Sequence, residues 1–202
     1  MDFTPPAQGN IDTWLRRRGF EVTGSTDGRR WVLPTAAGGL VLEARGPTQG
    51  FLLRDDLTIR GATRLRLTWG VDRYPQGASY EAGVRNEALM VYLFFGEETY
   101  SSGSLFLPKS PYFIGAYLNP RDPPGRAYTG NHYRDIGRFV SVGNPAPGQR
   151  VTSEFDFVEA FADYFQGRPA PPITGIALGV DTTRAGGNGR ARAFIQRLEL
   201  LP

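Results

Sequence analysis

Residues 88–95 read Ala-Leu-Met-Val-Tyr-Leu-Phe-Phe, the longest apolar run in the chain. Arg85, Asn86 and Glu87 precede it, and Gly96, Glu97 and Glu98 follow it. A run this short, rich in aromatic and branched side chains and stopped by polar residues at both ends, fits a strand buried on both faces better than a helix. Such a strand needs a covering layer, so it predicts the central strand of a β-sandwich.

The rest of the chain is punctuated accordingly. Gly 26 and Pro 16 in 202 residues suit many short strands joined by turns, and the length suits one domain spanning residues 1–202. Residues 1–18 read as an N-terminal arm followed by a short helix, with Asn10 as its N-cap and Gly19 as its stop. Short strands are expected at residues 20–22, 31–33, 40–44 and 51–54, separated by turn-type sequence at 24–28, 34–39 and 46–50. Residues 64–69 alternate most cleanly, with Leu65, Leu67 and Trp69 on one face and Arg64, Arg66 and Thr68 on the other. Residues 72–83 read as a loop. Further strands are expected at 104–107, 112–118, 139–142, 150–155, 173–180 and 191–200.

The period changes once. Phe157, Ala160, Phe161, Tyr164 and Phe165 recur at helical spacing, with Asp156 as cap and Gly167 as stop, predicting an amphipathic helix laid on a sheet. In residues 173–180, Ile176, Leu178 and Val180 face one way and Ala177 and Gly179 the other. Small residues on that second face admit a close neighbour. The predicted class is all-β: a jelly-roll-like two-sheet β-sandwich with one short amphipathic helix packed on a sheet.

Composition narrows function by exclusion. The net charge is only +3 and the cations are scattered arginines, Lys109 being the sole lysine, so nucleic acid is not an expected partner. Arg16, Arg17 and Arg18 read as the solvated end of the short helix. Cysteine is absent, which removes disulfides and thiolate metal sites. No run reaches the roughly 18 to 20 apolar residues of a membrane span. Residues 1–8 lack a signal-peptide pattern, so the expected location is periplasmic or exported if the chain is a mature form, and cytoplasmic otherwise.

Several segments together resemble a bacterial family of mostly exported proteins known only as a domain of unknown function. They are Leu65-Arg66-Leu67-Thr68-Trp69, Asn86-Glu87 leading into Val91-Tyr92-Leu93-Phe94-Phe95, Asp163-Tyr164-Phe165, and residues 173–182 from Ile173 to Thr182. The likeness spans roughly residues 41–200. It implies a β-sandwich related to carbohydrate-binding modules and supplies no catalytic residues. The chain departs from the pattern in lacking a signal peptide and in the glycine-rich residues 185–189, where an acidic turn is expected.

Aromatic residues are the better functional clue. Tyr100, Phe106, Tyr112, Phe113, Tyr117, Tyr128 and Tyr133 crowd residues 99–135 among Ser, Asn and Arg. Sugars stack apolar faces on such rings while their hydroxyls meet polar groups. Core packing accounts for Phe106, Phe113 and Tyr117 equally well. The candidate ligand-binding set is Tyr100, Tyr112, Tyr117, Tyr128, His132, Tyr133 and Glu87. His132, the only histidine, has neither a Gly-x-Ser-x-Gly elbow nor a ready set of co-ligands. Glu87 and Glu97 stand at opposite ends of the central strand, about 30 Å apart at 3.3 Å per residue, so they are not a catalytic pair. Glu87 with Glu81, or with a residue from another strand, remains as a pair of acids. Asp181-Thr182-Thr183 reads as an Asx turn, one carboxylate being too few for calcium. No metal or cofactor is expected. These readings favour a binding protein for a glycan or small polar ligand. The alternatives are a carbohydrate-active hydrolase or lyase using carboxylates near Glu81 and Glu87, and a structural or protein-interaction domain.

Overall fold

The computed structural model describes residues 1–5, 10–23, 31–32, 35–36, 38–184 and 187–202. The turn expected at 24–28 lies outside them, as do Leu33 and residues 185–186. In chain order the elements are α1 (Ile11–Arg16), β1 (Glu21–Thr23), β2 (Trp31–Val32), β3 (Thr35–Ala36), β4 (Gly39–Arg45), β5 (Gln49–Arg54), β6 (Arg64–Arg73), β7 (Glu87–Tyr100), β8 (Ser110–Tyr117), β9 (Ala127–Tyr128), β10 (Gly137–Ser141), β11 (Arg150–Asp156), α2 (Phe157–Tyr164), β12 (Ile173–Asp181) and β13 (Arg190–Leu201).

The strands form two sheets. One runs β1-β5-β12-β7-β8-β10-β9, and the other runs β11-β6-β13-β4-β2 with β3 also on β4. The expected all-β, jelly-roll-like sandwich is therefore the fold, and β7 is the fourth of seven strands in its sheet. The chain passes repeatedly from sheet to sheet, which is why alternate residues of β4, β6, β12 and β13 all feed one core. Leu40, Leu42, Leu65, Leu67, Trp69, Leu178, Val180, Ala193 and Ile195 meet there, each no more than 1% exposed. Trp69 is wholly buried yet satisfied, because its indole N–H donates to Ser153 Oγ at 3.1 Å.

The helices follow their sequence signals. Asn10 caps α1 by accepting from the Thr13 N–H at 3.1 Å, and the Arg18 guanidinium lies 4.4 Å from the Trp14 ring centroid. Asp156 caps α2, accepting from the N–H groups of Val158 and Glu159 at 3.1 and 2.9 Å. Gly167, at φ +74°, ends that helix by returning its N–H to Ala162 O. α2 packs, as expected, by its apolar face on a sheet, Phe161 coming within 5.0 Å of Phe95 on β7 and 5.6 Å of Tyr112 on β8, and within 4.6 Å of Phe165, centroid to centroid.

Two expectations fail for local reasons. Residues 104–107 are not a strand: Ser102 and Ser104 hydroxyls capture the nearby N–H groups of Ser104 and Phe106, a turn chemistry that competes with a ladder. β7 runs on past Gly96, Glu97 and Glu98 to Tyr100, which pairs with Ser110 after a register shift. The long segment at 119–135 has a topological cause. β10 joins β8 in parallel, and parallel neighbours need a crossover.

Candidate functional site

The outer face of the seven-stranded sheet carries a second apolar layer, separate from the core. Leu89, Val91, Leu93 and Phe95 of β7 point inward, so Met90, Tyr92 and Phe94 point out. The same alternation sends Phe113 and Tyr117 of β8, Phe139 of β10 and Ala177 of β12 to this face. The register sets large residues against glycines: Tyr92 pairs with Gly115, which pairs with Phe139; Phe51 pairs with Gly179; and Phe113 pairs with Gly137. The rings use that room. A Cβ on Gly137 would lie 2.3 Å from Phe113 Cζ, and one on Gly179 would lie 2.8 Å from Tyr92 Cε2. The small face of β12 is thus filled by neighbouring rings of the chain itself.

The result is a continuous aromatic row. Phe51 meets Tyr92 at 5.7 Å, Tyr92 meets Phe139 at 6.4 Å, Phe139 meets Tyr80 at 5.3 Å, and Tyr80 meets Tyr128 at 6.0 Å between centroids. Phe51, Phe94, Phe139 and Tyr128 are half-buried, with edges or faces open to solvent, whereas Tyr80, Tyr92 and Tyr117 lie beneath.

A bulge brings carboxyl groups to this layer. Between Met90↔Gly179 and Glu87↔Asp181 the ladder spends three steps on β7 and two on β12. Ala88 and Leu89 consequently both join the core, and Glu87 comes out beside Asp181 on the aromatic face. Glu87 is 4% exposed and accepts a hydrogen bond from Tyr80 Oη at 2.9 Å. Burial, and then the Asp181 charge, push its pKa well above the usual value, with the Tyr80 hydroxyl acting the other way. Asp181 is also raised, by burial, against its bonds from the Thr183 N–H and hydroxyl at 2.8 and 2.6 Å. Glu87 and Asp181 are thereby two neighbouring carboxyl groups with their pKa values raised by burial, the kind of pair that can divide acid and base roles.

Asp122 fixes the loops above this layer. One carboxyl accepts from Ser79 Oγ at 2.6 Å, Tyr80 N at 2.9 Å and Tyr117 Oη at 2.8 Å. It ties residues 78–82 to the crossover and holds Tyr80 over Tyr117, 4.6 Å between centroids. Asn144 supports it from below, donating to the carbonyls of both Asn119 and Asp122.

No protein-family model matches the chain, and no curated protein does. Solved structures similar to it in shape include the xyloglucanase domain of NopAA, a type three effector from Sinorhizobium fredii in complex with cellobiose. That likeness has 10% identity, covers 91% of this chain and 94% of that one, and has a TM-score of 0.47. The native family 12 xyloglucanase from Bacillus licheniformis gives 11% identity, 89% of each chain and a TM-score of 0.46. The catalytic domain of Humicola grisea Cel12A, in complex with a soaked thio cellotetraose, gives 15% identity, 90% and 93%, and 0.43.

The residues expected from sequence fall into three places. Glu87, Tyr117, Tyr128 and Tyr133 belong to the aromatic face, Tyr117 as its fully buried floor. Tyr112 packs instead against α2, 4.8 Å from Phe165, and Tyr100 packs on Tyr112 at 5.1 Å, because Tyr112 takes the inward parity of β8. His132 is exposed in the loop before β10. Glu81 turns outward to Arg126 and Tyr128, at 2.8 and 3.2 Å, rather than to Glu87. Sequence reasoning missed Asp181 as the partner of Glu87, Asp122 as the loop anchor, and Phe51, Tyr80, Tyr92, Phe94 and Phe139 as one surface. The alternation of β7 signals Tyr92 and Phe94; nothing in it signals the bulge.

A concavity of about 400 Å³ lies elsewhere, on the outer face of the other sheet, lined by Val41, Asp72, Arg150, Arg192, Phe194 and Gln196. Arg192 there is already engaged by Glu43 and Asp72, each at 3.1 Å.

Proposed function

We propose that this chain is a glycan-binding protein that takes its ligand across the outer face of the seven-stranded sheet. The observation that carries this reading is the aromatic row from Phe51 to Tyr128, half-buried at Phe51, Phe139 and Tyr128 and underlain by Tyr92 and Tyr80, that passes the paired acids Glu87 and Asp181. Apolar sugar faces stack on Phe51, Phe94 and Tyr128, and a hydroxyl meets Asp181, the half-buried outer member of the carboxyl pair. Burial of the lower layer supports this, since rings wedged over glycines lose little freedom on binding.

A glycan-array screen of the purified chain beside Phe51→Ala/Tyr128→Ala tests it. Saturable binding to one sugar class, weakened at least about tenfold in the variant at unchanged melting, is the expected result. Absence of binding to every glycan would remove the reading.

One observation favours a second reading, hydrolysis. Glu87 and Asp181 are direct cross-strand partners, both with raised pKa values, so two carboxyl groups share one place on the sheet as glycoside cleavage requires. Release of reducing ends from the bound glycan, abolished by Glu87→Gln while binding persists, would establish the enzyme. Binding without release leaves the binding protein.

A further inference from the structure

Between β7 and β8 the chain displays apolar side chains at a point where nothing covers them. Leu105 is 99% exposed, Phe106 95% and Leu107 39%. The display is built. Ser101 Oγ accepts from Gly103 N at 3.2 Å, Ser102 Oγ from Ser104 N at 3.1 Å, and Ser104 Oγ from Phe106 N at 3.2 Å, so the turn is held open by its own serines. Tyr133 clamps the base from the next loop. Its N–H donates to Ser102 O at 2.9 Å and its hydroxyl to Pro108 O at 2.7 Å, from a left-handed backbone at φ +56° that these bonds hold in place.

We infer that residues 103–109 form a membrane-contacting tip through which the sandwich docks on a phospholipid surface, Leu105 and Phe106 entering the acyl boundary. Area argues against a protein partner. Three side chains offer on the order of 400 Å², short of the roughly 800 Å² per side of a stable interface, and they form a point rather than a face. The surroundings match a headgroup layer. Tyr100 and Tyr133 stand at the foot of the tip, where amphipathic rings sit at a membrane interface. Lys109, Glu97, Glu98 and Arg168 are all exposed, and the Tyr100–Tyr112 ring pair joins an acid to a base, Tyr100 Oη donating to Glu98 at 2.6 Å and Arg168 donating to Tyr112 Oη at 3.0 Å, so both charges of a zwitterionic headgroup find partners.

The test is flotation of the full chain with phosphatidylcholine vesicles, and in parallel with vesicles that also contain phosphatidylglycerol, beside Leu105→Ser/Phe106→Ser. Both side chains are almost wholly exposed, so the variant should melt as the natural chain does. The natural chain should float with phosphatidylcholine vesicles and the variant at least about tenfold less. No flotation with either vesicle overturns the inference, as does equal flotation of the variant. Sedimentation velocity supplies a separate check: a dimer that the variant dissolves would assign the tip to a second copy and overturn it too.

Discussion

Glu87 stands opposite Asp181 across the β7–β12 ladder, with one extra residue of β7 between that pair and the next. The extra residue decides which side of the sheet Glu87 occupies. Without it the carboxyl would share the interior with Leu89 and Val91; with it, the carboxyl meets Tyr80 and the aromatic face.

This placement makes stability depend on pH in a definite direction. The folded chain holds the Glu87 proton above the usual value of 4.5, so it binds more protons than the unfolded chain in the interval above that value. The contribution is fully present below pH 4.5 and is lost as pH rises through the elevated folded value, by up to about 1.4 kcal/mol per pH unit. Glu87→Gln removes this decline, although Asp181, raised in the same direction, keeps part of it. Melting curves between pH 4 and 8 should show the variant gaining on the natural chain as pH rises. Parallel profiles would contradict the assignment.

Asp122→Ala strands the buried hydroxyls of Ser79 and Tyr117 and the N–H of Tyr80, all three now bonded to that carboxyl. A loss of about 3 kcal/mol or more is expected in urea denaturation. Ser79→Ala removes one donor to that carboxyl and the acceptor of the Ala82 N–H, and should cost less, about 1 to 2 kcal/mol.

Gly137→Ala would drive a Cβ into the Phe113 ring, 5% exposed and hemmed by Phe94, Tyr133 and Phe139. The expected cost is about 2 to 3 kcal/mol, with a changed near-ultraviolet circular dichroism spectrum. Gly179→Ala presses on Tyr92 at 2.8 Å and on Phe51 at 2.9 Å, a looser clash than the 2.3 Å at Gly137, and half-buried Phe51 has an outward escape. It should cost less stability than Gly137→Ala while weakening any ligand that stacks on Phe51.

Phe161→Ala opens the part of the core that α2 covers, since that ring is 1% exposed and contacts Phe95, Tyr112 and Phe165. About 3 to 5 kcal/mol should be lost. Asp156→Ala removes only the cap of the same helix and should cost about 1 kcal/mol. Denaturation midpoints that rank these two the other way would mean that α2 is held by its cap rather than by its packing.

What the chain declared locally, it also formed. The apolar run of residues 88–95 became the middle of a sheet; Asn10 and Asp156 capped helices; Asp181 made its Asx turn with Thr183; and the alternation of residues 64–69 sent Leu65, Leu67 and Trp69 to the core. The errors share another cause. Residues 104–107 have the composition of a strand, but the serines before and among them satisfy the backbone first. Tyr112 and Tyr117 looked alike as ligand aromatics, yet five residues of alternating backbone place them on opposite faces of β8.

Sequence by itself determined the elements, because caps, periodicity and turn chemistry act over a few residues and are written where they act. Tertiary structure alone decided the site. Strand order brought Phe51, Tyr92, Phe139 and Tyr128 from four strands into one row, and cross-strand register put glycines beneath the rings. The bulge that turned Glu87 toward Asp181 is likewise a property of two strands pairing. Neither strand states it alone, because a one-residue slip is visible only against a partner.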